Sequence, residues 1–358
     1  MKDKKTSRFF SNNSQLLIPI IAILLLVIFN LLRDPSFFSV GIAANNNGYP
    51  VLQGNLISIL NGASELVILS MGMTLVTSAS GGQDISVGAL AAIAGSVFVK
   101  VLKSGTITGM TVFGAFLACC AVAMVFGAFN GSLVAFFKIQ PMIATLILFT
   151  CGRSIAYWIN GGATPTIENP IINAIGSFIP GIPVPTPILI VIVMGILFAL
   201  LFRFTTLGMY IQTVGINQGA ARLNGISSEG IKLLSFVLLG VCCAVAGMIG
   251  VSRLGLINHE TLLINIEMDA ILAVAIGGNS LGGGKFRMLG SILGAYAIQA
   301  LTITLYAMKV PSTDVKAYKA VVIILLVVMG SPVVKEFFGK LSKKLKSGQP
   351  ADAEKEGA

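Results

Sequence analysis

The sequence predicts an all-α polytopic membrane protein, with about ten transmembrane helices and one short cytoplasmic helix. Of its 358 residues, 55% are hydrophobic and only 11% are charged, whereas soluble domains carry about 25% charged residues. Apolar runs recur along the chain, and many reach the roughly 17–25 residues that cross a bilayer as a helix. Because a membrane bundle shares one core, we expect one transmembrane domain rather than several soluble domains.

The N-terminal half contains five predicted spans. The basic residues ahead of the first apolar run resemble a secretory signal, but that run is longer than the roughly 7–15 apolar residues of a signal peptide, so we expect a retained span. The long run 107–137 is counted once, as a tilted or broken helix. The spans are Leu16–Leu32, Leu56–Ala79, Ile85–Leu102, Ile107–Phe137 and Met142–Ile159.

The C-terminal half contributes five more spans after a Gly- and Pro-rich connection, Asn160–Thr186. The organisation is then a cytoplasmic tail over residues 1–15, a transmembrane domain over 16–335, and a basic, then disordered, cytoplasmic tail over 336–358. The remaining spans are Pro187–Phe202, Ile231–Val251, Ala270–Gly277, Met288–Ala307 and Ala320–Met329.

Charge predicts the orientation of the chain. An even number of spans with the N-terminus inside places both tails and most Lys and Arg residues in the cytoplasm, as the positive-inside rule requires. The net charge of +10 lies in the tails and short loops and not in a basic patch with interleaved aromatic residues. It therefore indicates membrane topology and lipid surroundings, with no nucleic acid as partner.

The polar stretch Val214–Gly230 lies between long apolar runs. Asn217 is a good N-cap, Gln218–Leu223 forms about two turns of helix, and Asn224-Gly225 stops that helix. Ser227 or Ser228 then caps a second helix that starts with Glu229. A helix this short is unstable alone, so it must lie either on the membrane surface or against a partner.

The sequence predicts no catalytic residue, no metal site and no cofactor in this chain. The run Gly277–Lys285 lacks the spacing of a phosphate-binding loop, because Asn279 stands at the first glycine and Phe286 follows the lysine. It is expected to be a flexible cytoplasmic turn. The single histidine, His259, is expected at the surface near the outer face. The five cysteines lie in apolar runs without ligand-like spacing.

Ionisable residues at membrane depth are candidates for function. Arg153 and four carboxylates fall in this class, and each is either functional or part of a buried or interfacial pair. In Ser80–Gly88, two glycines break the second span and Ser86 can cap the third, whose amides would face a polar solute unless the segment is a plain tight turn. The candidate pathway residues are Glu65, Gly82, Gln83, Asp84, Ser86, Asn130, Glu267 and Asp269.

Four stretches together resemble the permease subunits of ribose-type carbohydrate ABC importers, which include permeases for ribose, xylose, arabinose, galactose and autoinducer-2. They occur in the family's order and cover most of residues 56–335. The stretches are GMTLVTSASGGQDISVGALAAIAG from Gly72, FGAFNGSLVAFFKIQPMIATLILF from Phe126, VGINQGAARLNGISSEGIK from Val214 and EMDAILAVAIGGNSLGGGKFRMLGSILGA from Glu267.

The resemblance implies a homodimer or heterodimer of permease subunits in the bacterial inner membrane, with the pathway along their interface. A separate cytoplasmic ATPase with its ATP and Mg²⁺ would supply energy, and an extracytoplasmic binding protein would capture the sugar. Asn217–Gly225 resembles the family's coupling helix. The coupling residues implied are Asn217, Gln218, Ala220, Ala221, Arg222, Asn224 and Gly225.

Some positions depart from the family pattern and leave the substrate open. Gln83 stands where an aliphatic residue is usual, Asn46-Asn47 belongs to an extension before the second span, and His259-Glu260 replaces a more neutral outer loop. A secondary transporter driven by an ion gradient is the alternative, and a membrane enzyme is a weaker third.

Overall fold

The computed structural model describes residues 17–44 and 49–330, which form fourteen helices and one β-hairpin. The predicted tails, 1–15 and 336–358, and the Asn46-Asn47 extension lie outside the described residues. The elements are α1 (Leu17–Arg33), β1 (Gly41–Ala44), β2 (Pro50–Gln53), α2 (Asn55–Gly62), α3 (Ser64–Ser80), α4 (Val87–Leu102), α5 (Gly109–Ala135), α6 (Pro141–Ile159), α7 (Pro170–Gly176), α8 (Thr186–Phe204), α9 (Leu207–Ile216), α10 (Gln218–Leu223), α11 (Ser228–Leu254), α12 (Ile266–Ile276), α13 (Met288–Ala307) and α14 (Ser312–Gly330).

Each predicted apolar span falls on a helix, and the all-α membrane fold is confirmed. Among the described residues, five helices are long and apolar enough to cross a membrane: α5, α6, α8, α11 and α13. The pair α2–α3, bent by 41°, gives a sixth if it is one span. The count of ten is not established by helix length, since α12 has 11 residues where a full crossing takes about 20.

The region predicted as one tilted or broken span is the single 27-residue helix α5. Helix α9 was not predicted, and two shorter elements were also missed. Helix α7 begins at Pro170 after the cap Asn169, inside the connection read as a loop. The antiparallel hairpin pairs Gly41 with Gln53. Both elements are too short for hydrophobic periodicity to reveal them.

Helix α3 forms the centre of the bundle. Every residue from Ser64 to Ala79 is buried, because α3 packs against α8, α9, α11, α12 and α13. Several of its polar side chains find partners inside the protein: the hydroxyl of Thr74 lies 2.6 Å from that of Ser291, and Ser70 donates to the carbonyl of Val67 at 2.8 Å. Such internal partners are what a polar residue in a membrane interior requires. The buried hydroxyl of Thr77 has no partner among the described residues.

Glycines allow the closest helix contacts. On α5, Gly127 and Gly131 lie against Phe236 of α11. On α13, Gly290 lies against Gly277 and Gly294 against the carbonyl of Ala273, the latter in α12. Small residues four apart let membrane helices approach this closely.

A substitution at Gly127 tests this packing. A Cβ added there would lie 2.6 Å from the carbonyl oxygen of Phe236, whereas a Cβ at Gly114 of the same helix meets nothing within 4 Å. We expect Gly127→Ala to lower the free energy of unfolding by about 1–3 kcal/mol through overpacking. Thermal unfolding in detergent measures the change. Gly114→Ala is the matched control, and an equal effect of both variants would contradict the close contact.

Candidate functional site

The short helix α10 forms as its sequence predicts. Asn217 has extended backbone geometry (φ −154°), and its side chain accepts a hydrogen bond from the amide of Ala220 at 3.0 Å. Gly225 ends the turn with a left-handed φ of 75°. Of the two candidate caps for the next helix, Ser227 accepts from the amide of Gly230 at 3.1 Å, and Ser228 is the first helical residue.

Helix α10 presents most of its surface outward. Ala221 is its one buried residue, whereas Leu223 is 91% exposed and Ile216, just before the helix, is 69% exposed. An ion pair between Arg222 and Glu229 ties α10 to the first turn of α11. The result is a short, fixed helix with apolar and charged groups available for contact.

The segment that leads into α10 rests directly on the buried helix α3. Gly215, at the end of α9, has no room for a side chain because a Cβ there would overlap the carbonyl of Ser78. The amide of Gly284 donates to that carbonyl at 3.1 Å, and the hydroxyl of Ser78 donates to the carbonyl of Lys285 at 2.6 Å. Helix α9, the end of α3 and the loop 277–285 therefore form one packed joint.

The glycine-rich loop 277–285 is fixed in place, which corrects the expectation of a flexible turn. The side-chain amide of Asn279 donates to the carbonyl of Arg287 at 3.1 Å and to the hydroxyl of Ser291 at 2.9 Å. The Asn279 oxygen accepts from the amide of Arg287 at 2.7 Å. Asparagine side chains commonly hydrogen-bond to nearby backbone groups, so Asn279 was the residue in the sequence that could have indicated an anchored loop.

The residues that separate α3 from α4 are also fixed by contacts with other segments. Gly82 packs against Pro141 at the start of α6, where an added Cβ would lie 2.8 Å from the ring. The side chain of Gln83 donates to the carbonyl of Leu281 at 2.8 Å. The unusual glutamine therefore connects this segment to the glycine-rich loop.

Three candidate pathway residues meet in one buried cluster at the start of α4. The amide and hydroxyl of Ser86 donate to one oxygen of Asp84 at 2.7 and 2.6 Å, and Asn130 of α5 donates to the Ser86 hydroxyl at 2.9 Å. The amide of Ile85 donates to the hydroxyl of Thr145 in α6 at 3.1 Å. Ser86 occupies the predicted N-cap position, but its hydroxyl makes no capping bond.

A second irregular segment precedes α12. Arg153 of α6 donates to the carbonyls of His259, Glu260 and Leu262 at 2.8, 3.0 and 3.2 Å. The ring of His259 packs edge-on against Tyr157 with 4.8 Å between centroids, and the residue is only 9% exposed. The expectation of a surface histidine is therefore wrong, because Arg153 draws this segment into the bundle.

Of the other candidate carboxylates, Glu267 lies against Gly88 in the first turn of α4, and the remaining two each pair with a basic residue of another helix. Glu65 pairs with Arg253 of α11 at 2.7 Å, and Asp269 pairs with Lys319 of α14 at 2.6 Å. Glu267 is 3% exposed, and one of its oxygens has no hydrogen-bond partner among the described residues. The signal for the two ion pairs was a basic residue in or beside an apolar run. The sequence alone could not show which carboxylate each basic residue contacts.

Comparison with known proteins places these features in context. Residues 55–330 match the family described as branched-chain amino acid transport system / permease component. The chain is 38% identical to the galactofuranose transporter permease protein YtfT of Escherichia coli, covering 87% of this chain and 88% of that protein. It is 36% identical to the fructose import permease protein FruF of Bifidobacterium longum, covering 93% and 92%.

A third relative is the ribose import permease protein RbsC of Escherichia coli, 35% identical over 87% of this chain and 92% of that protein. No solved structure matches the chain.

The Glu65–Arg253 pair allows a test of its contribution to folding. Arg253→Met leaves the Glu65 carboxylate buried without its charge partner, so we expect a loss of about 3–5 kcal/mol of stability. Adding Glu65→Leu is expected to recover most of that loss, because an apolar pair often replaces a buried ion pair without cost. Unfolding of both single variants and the double variant measures the coupling. Additive losses would contradict it.

Proposed function

The chain belongs to the branched-chain amino acid transport system / permease component family, as a multi-pass protein of the bacterial inner membrane, and we propose that it is the permease subunit of an ATP-driven importer. It moves a sugar or a related small polar solute inward. Support for the solute class comes from the relatives, whose names specify galactofuranose, fructose and ribose. Support for the mechanism comes from α10, an exposed helix mounted on the buried core.

We propose that α10 is the contact for a separate cytoplasmic ATPase, which carries the ATP and Mg²⁺. A helix laid in a groove on a partner uses exposed apolar and charged anchors, and here Leu223 and Arg222 supply them. Gly215 then transmits the motion, because it contacts the end of α3 with no intervening side chain. Packed contacts of this kind shift as rigid units and do not deform gradually.

The solute passes between two permease subunits, and an extracytoplasmic binding protein delivers it. Three candidate pathway residues support this assignment, because they are at most 1% exposed and hydrogen-bond to one another inside one chain. They are Asp84, Ser86 and Asn130. Their role is to hold the start of α4 in position and so to shape the pathway. Transport by alternating access requires that ATP and the loaded binding protein favour different arrangements of the helices.

An ion-gradient-driven carrier is the alternative, and the carboxylates do not favour it. A proton relay needs groups that exchange protons with one another along a path. Glu65 and Asp269 instead pair with different basic residues on different helices, and Asp84 is held by its own neighbour Ser86. The contacts of Glu65 and Asp269 join helices, and the contact of Asp84 holds the segment before α4.

Reconstituted transport distinguishes the two mechanisms. We expect sugar uptake into proteoliposomes containing the permease, its ATPase and the binding protein to require ATP and to persist when ionophores collapse the ion gradients. ATP hydrolysis supplies the differential affinity that drives the two states. Uptake that continues without ATPase or ATP and stops with ionophores would refute the proposal.

Variants of α10 test the contact. Leu223→Asp places a charge on the docking face without removing a contact inside the chain, since Leu223 is 91% exposed. We expect ATP-driven uptake to fall about 10-fold or more, as for a central interface anchor, while membrane assembly is retained. Gly225→Pro is expected to act in the same direction, because proline cannot adopt the φ of 75°.

The control for these variants is Met308→Asp, which alters an exposed residue between α13 and α14. Uptake should be retained in that variant. Normal coupled transport by Leu223→Asp would show that α10 does not carry the ATPase contact.

A further inference from the structure

A cavity of about 320 Å³ lies beneath α10, enclosed by the ends of α3 and α5, the connection to α6, and the first turn of α11. This is within the size range of ligand sites, about 300–1,000 Å³. Its charged lining residues are Lys138, Arg222, Glu229 and Lys232. Glu229 pairs with Arg222 and also attracts Lys232, so three basic side chains share one carboxylate and the lining keeps a net positive charge for an anion.

Lys232 is the more informative of these two residues. It is only 8% exposed, and among the described residues it makes no side-chain hydrogen bond and no ion pair. The carboxylate that attracts it, Glu229, is shared with Arg222, and an anion in the cavity would lower the cost of burying the ammonium group. Lys138 lies at the exposed rim, where a second contact to the same anion is available.

An apolar groove lies beside the cavity, on the outside of the bundle. Ile139 lines both spaces, and the groove, of about 340 Å³, follows α6 as far as Thr150. Between Pro141 and Thr150 the helix rises about 14 Å, close to half of the roughly 30 Å hydrocarbon thickness of a bilayer. The remaining lining residues are Ile143, Ala144, Leu146 and Ile147.

We propose that the cavity and the groove together hold one anionic phospholipid of the cytoplasmic leaflet. Its phosphate lies between Lys138 and Lys232, and an acyl chain lies along α6. Basic pockets between membrane helices on the cytoplasmic side recognise anionic headgroups in this way. The groove is about as long as the hydrocarbon part of one leaflet is thick. The choice of leaflet rests on the orientation that accompanies the proposed function, whereas the site itself does not depend on transport.

Lipid retention by the full-length permease tests the site. Native mass spectrometry of the protein purified from detergent counts the phosphatidylglycerol or phosphatidylcholine that remains bound after each is added. We expect selective retention of phosphatidylglycerol, reduced about 10-fold by Lys232→Gln, since a charge-assisted contact to phosphate is lost. Lys285→Gln, at an exposed lysine outside the cavity, is the matched control and should leave retention unchanged.

A variant in the groove tests the site even if substitution of the buried Lys232 prevents folding. Ile147 is 51% exposed, so Ile147→Trp fills the groove from outside and is expected to weaken phosphatidylglycerol retention with Lys232 intact. Lys138→Gln is the second headgroup variant if Lys232→Gln does not assemble, and the same loss is expected. These measurements need neither the ATPase nor uptake, so their outcome is separate from that of the proposed function.

Three results would overturn the lipid assignment. Equal retention of the two lipids, or full phosphatidylglycerol retention in the lysine variants, removes the headgroup contact. Inorganic phosphate that displaces the lipid equally well from wild type and Ile147→Trp indicates a site for a free anion without an acyl chain. A change in the number of subunits per complex in Ile147→Trp, with no change in lipid count, indicates that a second copy of the chain covers the groove.

Discussion

The rest of the structure depends on one constraint, that backbone amides and carbonyls inside a membrane must find partners within the protein. Two helices, α4 and α12, begin after irregular segments packed among other helices, and each segment has a dedicated side chain. Asp84 accepts a hydrogen bond from the amide of Ser86 before α4. Arg153 donates to three backbone carbonyls before α12, those of His259, Glu260 and Leu262. The intramembrane charges therefore make the interrupted helices possible.

The same constraint explains why α3 can be enclosed on all sides. A helix with no lipid-facing side must accept neighbours at short distance, and small residues make room for them. Gly72 of α3, for example, faces the side chains of Leu239 and Cys242 in α11. Close packing leaves α3 little freedom to bend, so a displacement at one end carries through to the other. This property makes α3 suitable as the element that α9 moves.

Features governed by neighbours in sequence were predictable. Asn217 as a cap, the extent of α10 and the turn at Gly225 depend on local hydrogen bonds and on one positive φ, and all three are confirmed. The apolar helices were predictable because their hydrophobicity marks them, whereas the predicted number of ten spans is not established. The hairpin and α7 were missed since neither has a periodic signal.

Features governed by distant contacts were not predictable. The sequence marks His259 as a lone polar residue, but its burial depends on Arg153, 106 positions away. It marks Glu65 and Asp269 as unusual, but the identity of their partners depends on how α11 and α14 pack. The loop 277–285 looked mobile because of its glycines, whereas those glycines permit close packing against Gly81 and Gly215.

The contacts of α10 differ between its α9 side, which is closely packed, and its α11 side, which borders the cavity. On the α9 side, Gly215 touches the backbone of α3 and leaves no gap. On the α11 side, the ion pair of Arg222 with Glu229 and the bond from Ser228 to the Gln218 carbonyl, at 3.3 Å, span the rim of the cavity. A space transmits little load, because its lining atoms have no contacts across it. In the proposed mechanism, a push on α10 therefore passes through α9 into α3, and whatever fills the cavity determines how much motion α11 shares.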